Sequence, residues 1–90
     1  MKRHVAIRVN GRVQGVLFRA HAKETADQLG VTGFVRNEPD GSVYIEAEGA
    51  PRDLERFIIW CRKGPPSAIV KGVDVSDGPD RRFAEFSISF

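Results

Sequence analysis

The sequence is poor in cysteine, and this scarcity excludes two classes of small protein. Its 90 residues contain one cysteine, Cys61, which allows neither an intramolecular disulfide framework nor a cysteine cluster for structural zinc. A chain of this length without cross-links is held together by packing, and we expect one domain with a single core over residues 1–90. A lone thiol is typical of the reducing cytoplasm, which is the expected location.

Long apolar runs and a strong excess of charge are also missing. No stretch approaches the ~18 consecutive apolar residues of a membrane-spanning helix, and the N-terminal segment MKRHVAIRVNG lacks the apolar region of a signal peptide. The formal net charge is +2, with the basic residues spread along the chain, which does not indicate nucleic acid as a partner. We therefore expect association with neither membrane nor nucleic acid. A monomer is our expectation as well, although the sequence leaves the oligomeric state open.

The sequence does contain regular strand and helix patterns in alternation. Alternating apolar residues predict strands at 5–9, 31–37 and 42–49, and the segments 68–75 and 83–90 predict one or two more. Helical spacing predicts helices at 18–29, followed by Gly30, and at 51–63, followed by Gly64. The order β-α-β-β-α-β, with a possible fifth strand, is typical of the ferredoxin-like α+β fold, an antiparallel sheet with both helices on one face.

The same patterns predict which side chains face the core. In the third strand, the alternation directs Val43 and its alternate neighbours inward and leaves Tyr44, Glu46 and Glu48 facing outward. Because His4 precedes the first strand, we expect it at the surface. Cys61 lies on the apolar side of the second helix and is expected to be buried.

The stretch GRVQGVLFRAH, residues 11–21, joins the first strand to the first helix and has features of an anion-binding site. Gly15 can approach a ligand closely or adopt a positive φ. The first N–H groups of the following helix have no partner within the helix, and its dipole favours a negative group. Arg19 has the wrong charge for this position unless an anion lies beside it. As an isolated residue, Arg19 would be read as a charge exposed to solvent.

The topology is expected to bring Asn37 to the same place. In a split β-α-β unit the first two strands are parallel and the third lies between them, so both C-terminal ends lie at one end of the sheet. Asn37 ends the second strand, at a separation of roughly 10 Å from the first. The neighbouring Arg36 is expected to face the other side of its strand. Asn37 and the glycine loop together favour an anion site around Arg19.

Two stretches, GRVQGVLFR and GFVRNEPDGSVYIEAEG, resemble the signature motifs of acylphosphatases, small ferredoxin-like enzymes that hydrolyse the carboxyl–phosphate bond of acyl phosphates. The resemblance extends from about Val5 to Phe90. It implies that Arg19 binds the substrate phosphate and that Asn37 positions the attacking water. It also implies that backbone N–H groups bind the phosphate, those of Gly15, Val16, Leu17 and Phe18.

Leu17 departs mildly from the family pattern, since members often carry Phe, Trp or Gly there. We expect changed contacts at the rim of the site rather than lost activity. Hydrogenase-maturation proteins begin with a similar domain but continue into zinc-finger segments, so the expectation here is the free-standing enzyme.

The implied reaction requires no metal, cofactor or general acid. Its leaving group is the anion of an acid with a pKa of about 4, and the phosphoryl transition state is stabilised mainly by positioning and electrostatics. No carboxylate cluster with metal-ligand spacing lies beside the loop. His21, two positions beyond Arg19, points to another face of the helix and is not expected to act directly.

Three other functions share this fold. An RNA-recognition domain would need stacking aromatics on the central strands, whereas Tyr44 is flanked by two glutamates that would repel phosphates. A copper chaperone would need a Cys-x-x-Cys pair in the first loop, which is absent. A non-catalytic small-ligand or regulatory domain is the third alternative, and it would explain the anion-binding loop without requiring Asn37.

Overall fold

Strands and helices alternate along the chain in the predicted order. A computed structural model describes residues 2–90. Its elements are β1 (Arg3–Arg12), α1 (Phe18–Leu29), β2 (Thr32–Asn37), β3 (Val43–Gly49), α2 (Pro51–Lys63), β4 (Ile69–Asp77) and β5 (Phe86–Ser89). The predicted β-α-β-β-α-β order and the possible fifth strand are confirmed.

The five strands form one sheet in the order β4-β1-β3-β2-β5. β1 pairs antiparallel with β3 and β4, and β2 pairs antiparallel with β3, so β1 and β2 are parallel to each other as expected. The predicted antiparallel sheet is confirmed for β1 to β4, whereas the fifth strand makes the sheet mixed, because β5 pairs parallel with β2. β4 finishes where β1 begins, with Asp77 opposite Val5, and β5 starts at the same end, with Phe86 opposite Gly33. A strand that enters the sheet there must run in the direction of β2.

This direction determines which chain segments meet at one end of the sheet. β1, β2 and β5 all run away from the end of the sheet where β5 starts, and they finish at the opposite end, at Arg12, Asn37 and Ser89. The loop that follows β1 and the residue that follows β5 therefore lie near Asn37.

Both helices pack on one face of the sheet and share a single core with it. The inward residues predicted for β3 are completely buried, and so is Cys61, where burial raises the pKa of the thiol. α1 contributes Phe18, Ala22 and Ala26 to this core. None of the helices within residues 2–90 is both long and apolar enough to cross a membrane.

On the opposite face of the sheet, the expectation for His4 is wrong, because this residue is buried and does not lie at the surface. Glu46 and Glu48 face outward as predicted, but they too are buried there, Glu48 completely. His4 lies between the two carboxylates, with Nδ1 2.8 Å from Glu48 Oε2 and Nε2 3.2 Å from Glu46 Oε1. Alternation gives the face on which a residue lies, but it does not show that a distant segment covers that face.

The covering segment is the connection between β4 and β5. The backbone N–H groups of Arg81 and Phe83 donate hydrogen bonds to the Glu48 carboxylate, and the Phe83 ring stacks on His4 at 6.0 Å between centroids. Burial alone would raise the pKa of Glu48, but the hydrogen bonds from Arg81, His4 and Phe83 outweigh it and hold this pKa at about 2. Glu48 thus anchors the connection to the sheet.

We expect Glu48→Gln to lower the free energy of unfolding at neutral pH by about 3 kcal/mol, because the donors around residue 48 lose a charged acceptor. In the folded protein the pKa of Glu48 lies below its ordinary value of 4.5. Its contribution is therefore complete above pH 4.5 and is lost as the pH falls toward 2. Urea unfolding across this range measures the effect.

The matched control is Glu55→Gln, which removes an exposed carboxylate from α2. It should change the unfolding free energy little at any pH. The assignment is contradicted if the Glu48→Gln protein and the unsubstituted protein lose stability in parallel upon acidification.

Candidate anion-binding site

The loop between β1 and α1, residues 13–17, contains two left-handed residues. Gly15 has φ 72° and Leu17 has φ 63°, and the expected positive φ at Gly15 is thus observed. A Cβ added at Gly15 would meet nothing within 4 Å, so conformation and not space favours glycine there. Leu17 has a left-handed backbone conformation, and the next residue, Phe18, has the right-handed conformation of α1. Two consecutive residues of opposite handedness direct their N–H groups toward one concavity that suits an anion.

The first turn of α1 lacks the usual groups that satisfy a helix N-terminus. Leu17 occupies the N-cap and makes no side-chain capping bond, and the turn has no acidic residue but does contain Arg19. α2 differs, since it begins with Pro51 and carries Asp53 in its first turn. The start of α1 is therefore the helix end in this fold that an external anion would best complete.

An open cavity of about 280 Å³ lies in front of this helix end. Its lining residues are Val13, Gly15, Leu17, Phe18, Arg19, Ala20, Asn37, Ile88 and Phe90. The structure thus places Arg19, Asn37 and three of the four predicted loop residues around one cavity. Val16 does not line it, because its side chain packs against the core, and the Ser67 hydroxyl donates a 3.2 Å hydrogen bond to its carbonyl.

Arg19 is held from one side only. Its Nη1 donates a long hydrogen bond, 3.4 Å, to the Ser89 carbonyl, and its guanidinium lies 4.9 Å from the centroid of the Phe90 ring. It forms no ion pair with any carboxylate of residues 2–90. A half-buried guanidinium without a protein counter-ion is available to an anionic ligand.

Asn37 stands at the start of the tight turn between β2 and β3. The Asp40 carboxylate accepts hydrogen bonds from the hydroxyl and the backbone N–H of Ser42, at 2.6 and 2.9 Å, and these bonds lower the pKa of Asp40. The Glu38 N–H donates to the Ser42 carbonyl at 2.8 Å and closes the turn. The position of Asn37 is therefore fixed by hydrogen bonds on the residues that follow it.

Sequence reasoning missed several residues at this site, among them Ile88, Phe90 and Gln14. Ile88 and Phe90 line the cavity because β5 is parallel to β2, and that direction has no local sequence signal. Gln14 lies within the motif GRVQG, yet nothing in its local pattern showed that its side chain reaches the β2–β3 turn.

Comparisons with known proteins show which family this chain resembles along its length. A family model described as Acylphosphatase matches residues 5–88. The Acylphosphatase of a Nocardioides species is 49% identical over 88 residues, covering 98% of this chain and 89% of the relative. That of Shewanella amazonensis is 50% identical over 88 residues, covering 97% of each chain. The crystal structure of acylphosphatase from Bacillus subtilis superposes with a TM-score of 0.95 at 35% identity over the full length of both chains.

We expect Leu17→Gly to leave the free energy of unfolding within about 0.5 kcal/mol of its original value, because relief of the left-handed strain offsets the entropy that glycine adds to the unfolded chain. Leu17 is 70% exposed, so little apolar burial is lost. The matched control is Ile59→Gly, at a position 62% exposed within α2. There glycine relieves no strain and should cost about 1 kcal/mol. Equal losses in urea unfolding of the two variants would contradict the strain assigned to Leu17.

Proposed function

Because the chain belongs to the acylphosphatase family, we propose that it hydrolyses acyl phosphates to a carboxylate and inorganic phosphate, without a metal ion or cofactor. The observation that supports this most directly is the cavity at the start of α1, which is lined by both Arg19 and Asn37. In this proposal the two side chains have separate tasks, one toward the phosphoryl group and one toward water.

Arg19 binds the phosphoryl group, together with the backbone N–H groups of Gly15, Val16, Leu17 and Phe18. In a loose transition state the charge is spread over three equatorial oxygens, which a guanidinium and several fixed N–H donors can stabilise together. The Ser89 carbonyl and the Phe90 ring orient the guanidinium before substrate arrives, and this limits the reorganisation needed during reaction.

Asn37 orients the attacking water opposite the leaving group. Its side-chain carbonyl accepts a hydrogen bond from the water, whose oxygen forms a bond to phosphorus while the bond between phosphorus and the acyl oxygen breaks. The carboxylate departs with the electron pair and needs no proton, because its conjugate acid has a pKa of about 4. The proton lost by the water goes to an oxygen of the phosphoryl group that it attacks, so that the products are the carboxylate and inorganic phosphate. Among residues 2–90, Arg19 is the only one with an ionisable side chain that lines the cavity.

The proposal includes the setting in which the enzyme works. It acts as a monomer in the cytoplasm, as a single acylphosphatase-like domain over residues 1–90, on small acyl phosphates and without a nucleic-acid partner. The free, buried Cys61 suits a reducing compartment. Tyr44 does not offer a ring face to a base, since Arg8 and Arg36 lie 5.7 and 4.8 Å from its centroid.

We expect Arg19→Ala and Asn37→Ala each to lower kcat/KM for benzoyl phosphate in EDTA by about a thousandfold. Arg19→Ala should raise KM and lower kcat, because binding and transition-state contacts are both lost. Asn37→Ala should lower kcat with little change in KM, because it removes an interaction with water. Steady-state kinetics of the folded variants measures both parameters.

The matched control is Arg36→Ala, which removes an exposed arginine beside Asn37 that stacks on Tyr44. It should retain nearly full activity. If the unsubstituted protein is folded and binds inorganic phosphate but does not hydrolyse benzoyl phosphate, the enzymatic proposal is wrong and a non-catalytic anion-binding domain is favoured.

A further inference from the structure

The two halves of the proposed site are not neighbours in the sheet. The β1–α1 loop follows β1, and Asn37 ends β2, but β3 lies between these strands. The backbone ladder therefore connects the two halves only through β3. A direct link between them has to come from a side chain.

The half-buried Gln14 makes such a link. Its Nε2 donates one hydrogen bond to the Glu38 carbonyl at 2.7 Å and another to the Ser42 carbonyl at 2.9 Å. Both hydrogens of the side-chain amide are thereby used. One acceptor belongs to the residue directly after Asn37, and the other lies across the turn from it.

The two acceptors are themselves part of the turn. The Glu38 carbonyl also accepts from the Gly41 N–H at 3.1 Å, and the Ser42 carbonyl also accepts from the Glu38 N–H at 2.8 Å. Gln14 thus binds the second lone pair of two carbonyls that already close the hairpin. Any displacement of the β1–α1 loop relative to the turn stretches both bonds at once, so the pair fixes direction as well as distance.

We propose that Gln14 is a positioning residue that holds Asn37 in register with the phosphate-binding loop, an inference that rests on the role proposed for Asn37. In-line attack requires water, phosphorus and leaving group to be aligned, and a misplacement of about 1 Å can cost on the order of a hundredfold in rate. Gln14 acts through Asn37 and does not line the cavity.

The chemistry of the contact identifies informative substitutions. Carbonyl oxygens need a donor, so Gln14→Met keeps the length and approximate volume of the side chain but removes the bonds. Gln14→Lys restores N–H donors on a chain long enough to reach the same two carbonyls. A role in packing would be preserved by Gln14→Met, whereas a role in positioning would be recovered by Gln14→Lys.

The test compares kcat, KM and inhibition by inorganic phosphate for these variants. We expect Gln14→Met to lower kcat about 10- to 100-fold, with KM and phosphate inhibition within about twofold of their original values. Gln14→Lys should recover most of the lost kcat. In an Asn37→Ala background, Gln14→Met should lower kcat no further, because the group it positions is gone.

The control is Ile58→Ala, which weakens packing of α2 against the core away from the cavity. It should lower stability while leaving kcat unchanged. The inference is overturned if Gln14→Met retains full kcat, if its loss of kcat is also seen with Ile58→Ala, or if the losses from Gln14→Met and Asn37→Ala multiply. A Gln14→Lys variant that recovers none of the lost kcat would overturn the inference as well.

Failure of the proposed function gives a different result. A fully active Asn37→Ala variant would remove the role proposed for Asn37, and this inference with it. A slow Asn37→Ala variant beside a fully active Gln14→Met variant would overturn this inference alone and leave the proposed function intact.

Discussion

The left-handed entry into α1 is the constraint on which the site depends. Leu17 retains an unfavourable φ because the residues on either side of the loop, Val13 and Phe18, are buried and cannot move to relieve it. The same entry leaves the helix without a side-chain cap and places Arg19 in its first turn. Each of these features is mildly unfavourable by itself, and an anion at the helix end would offset all of them. The stability of the core therefore maintains a local conformation that the loop alone would not adopt.

The split topology imposes a second constraint. It brings the C-terminal ends of β1 and β2 to the same end of the sheet, but it does not pair these two strands. β3 separates β1 from β2, and two contacts compensate for this gap. Gln14 connects the loop to the turn after Asn37, and β5 brings Ser89 and Phe90 beside Arg19 from the outer edge. The site is thus lined by residues that come from both ends and from the middle of the chain, although its recognisable motifs lie in the first half.

Local signals in the sequence were sufficient for most elements of the fold, whereas the roles expected for the site residues came from the resemblance to acylphosphatase motifs. The inward face of β3, the burial of Cys61 and the positive φ of Gly15 each follow from spacing or from residue type within a few positions. The errors concern contacts between distant segments. His4 and Glu48 are buried because residues 78–85 cross the outer face of the sheet, and β5 is parallel to β2 because β4 ends where β2 begins. No periodicity encodes either event.

These distant contacts also explain why the two faces of the sheet differ in chemistry. The buried His4 lies on the outer face, where it contacts the carboxylates of Glu46 and Glu48. On the same face, Glu48 anchors the segment that leads into β5. The proposed site contains hydrogen-bond donors and a guanidinium instead. A reaction whose leaving group departs as a stable carboxylate needs alignment and charge stabilisation more than proton transfer. The titratable groups on the outer face can therefore stabilise the fold without taking part in the reaction. The segment that they anchor leads into β5, whose C-terminal end brings Ser89 and Phe90 to Arg19.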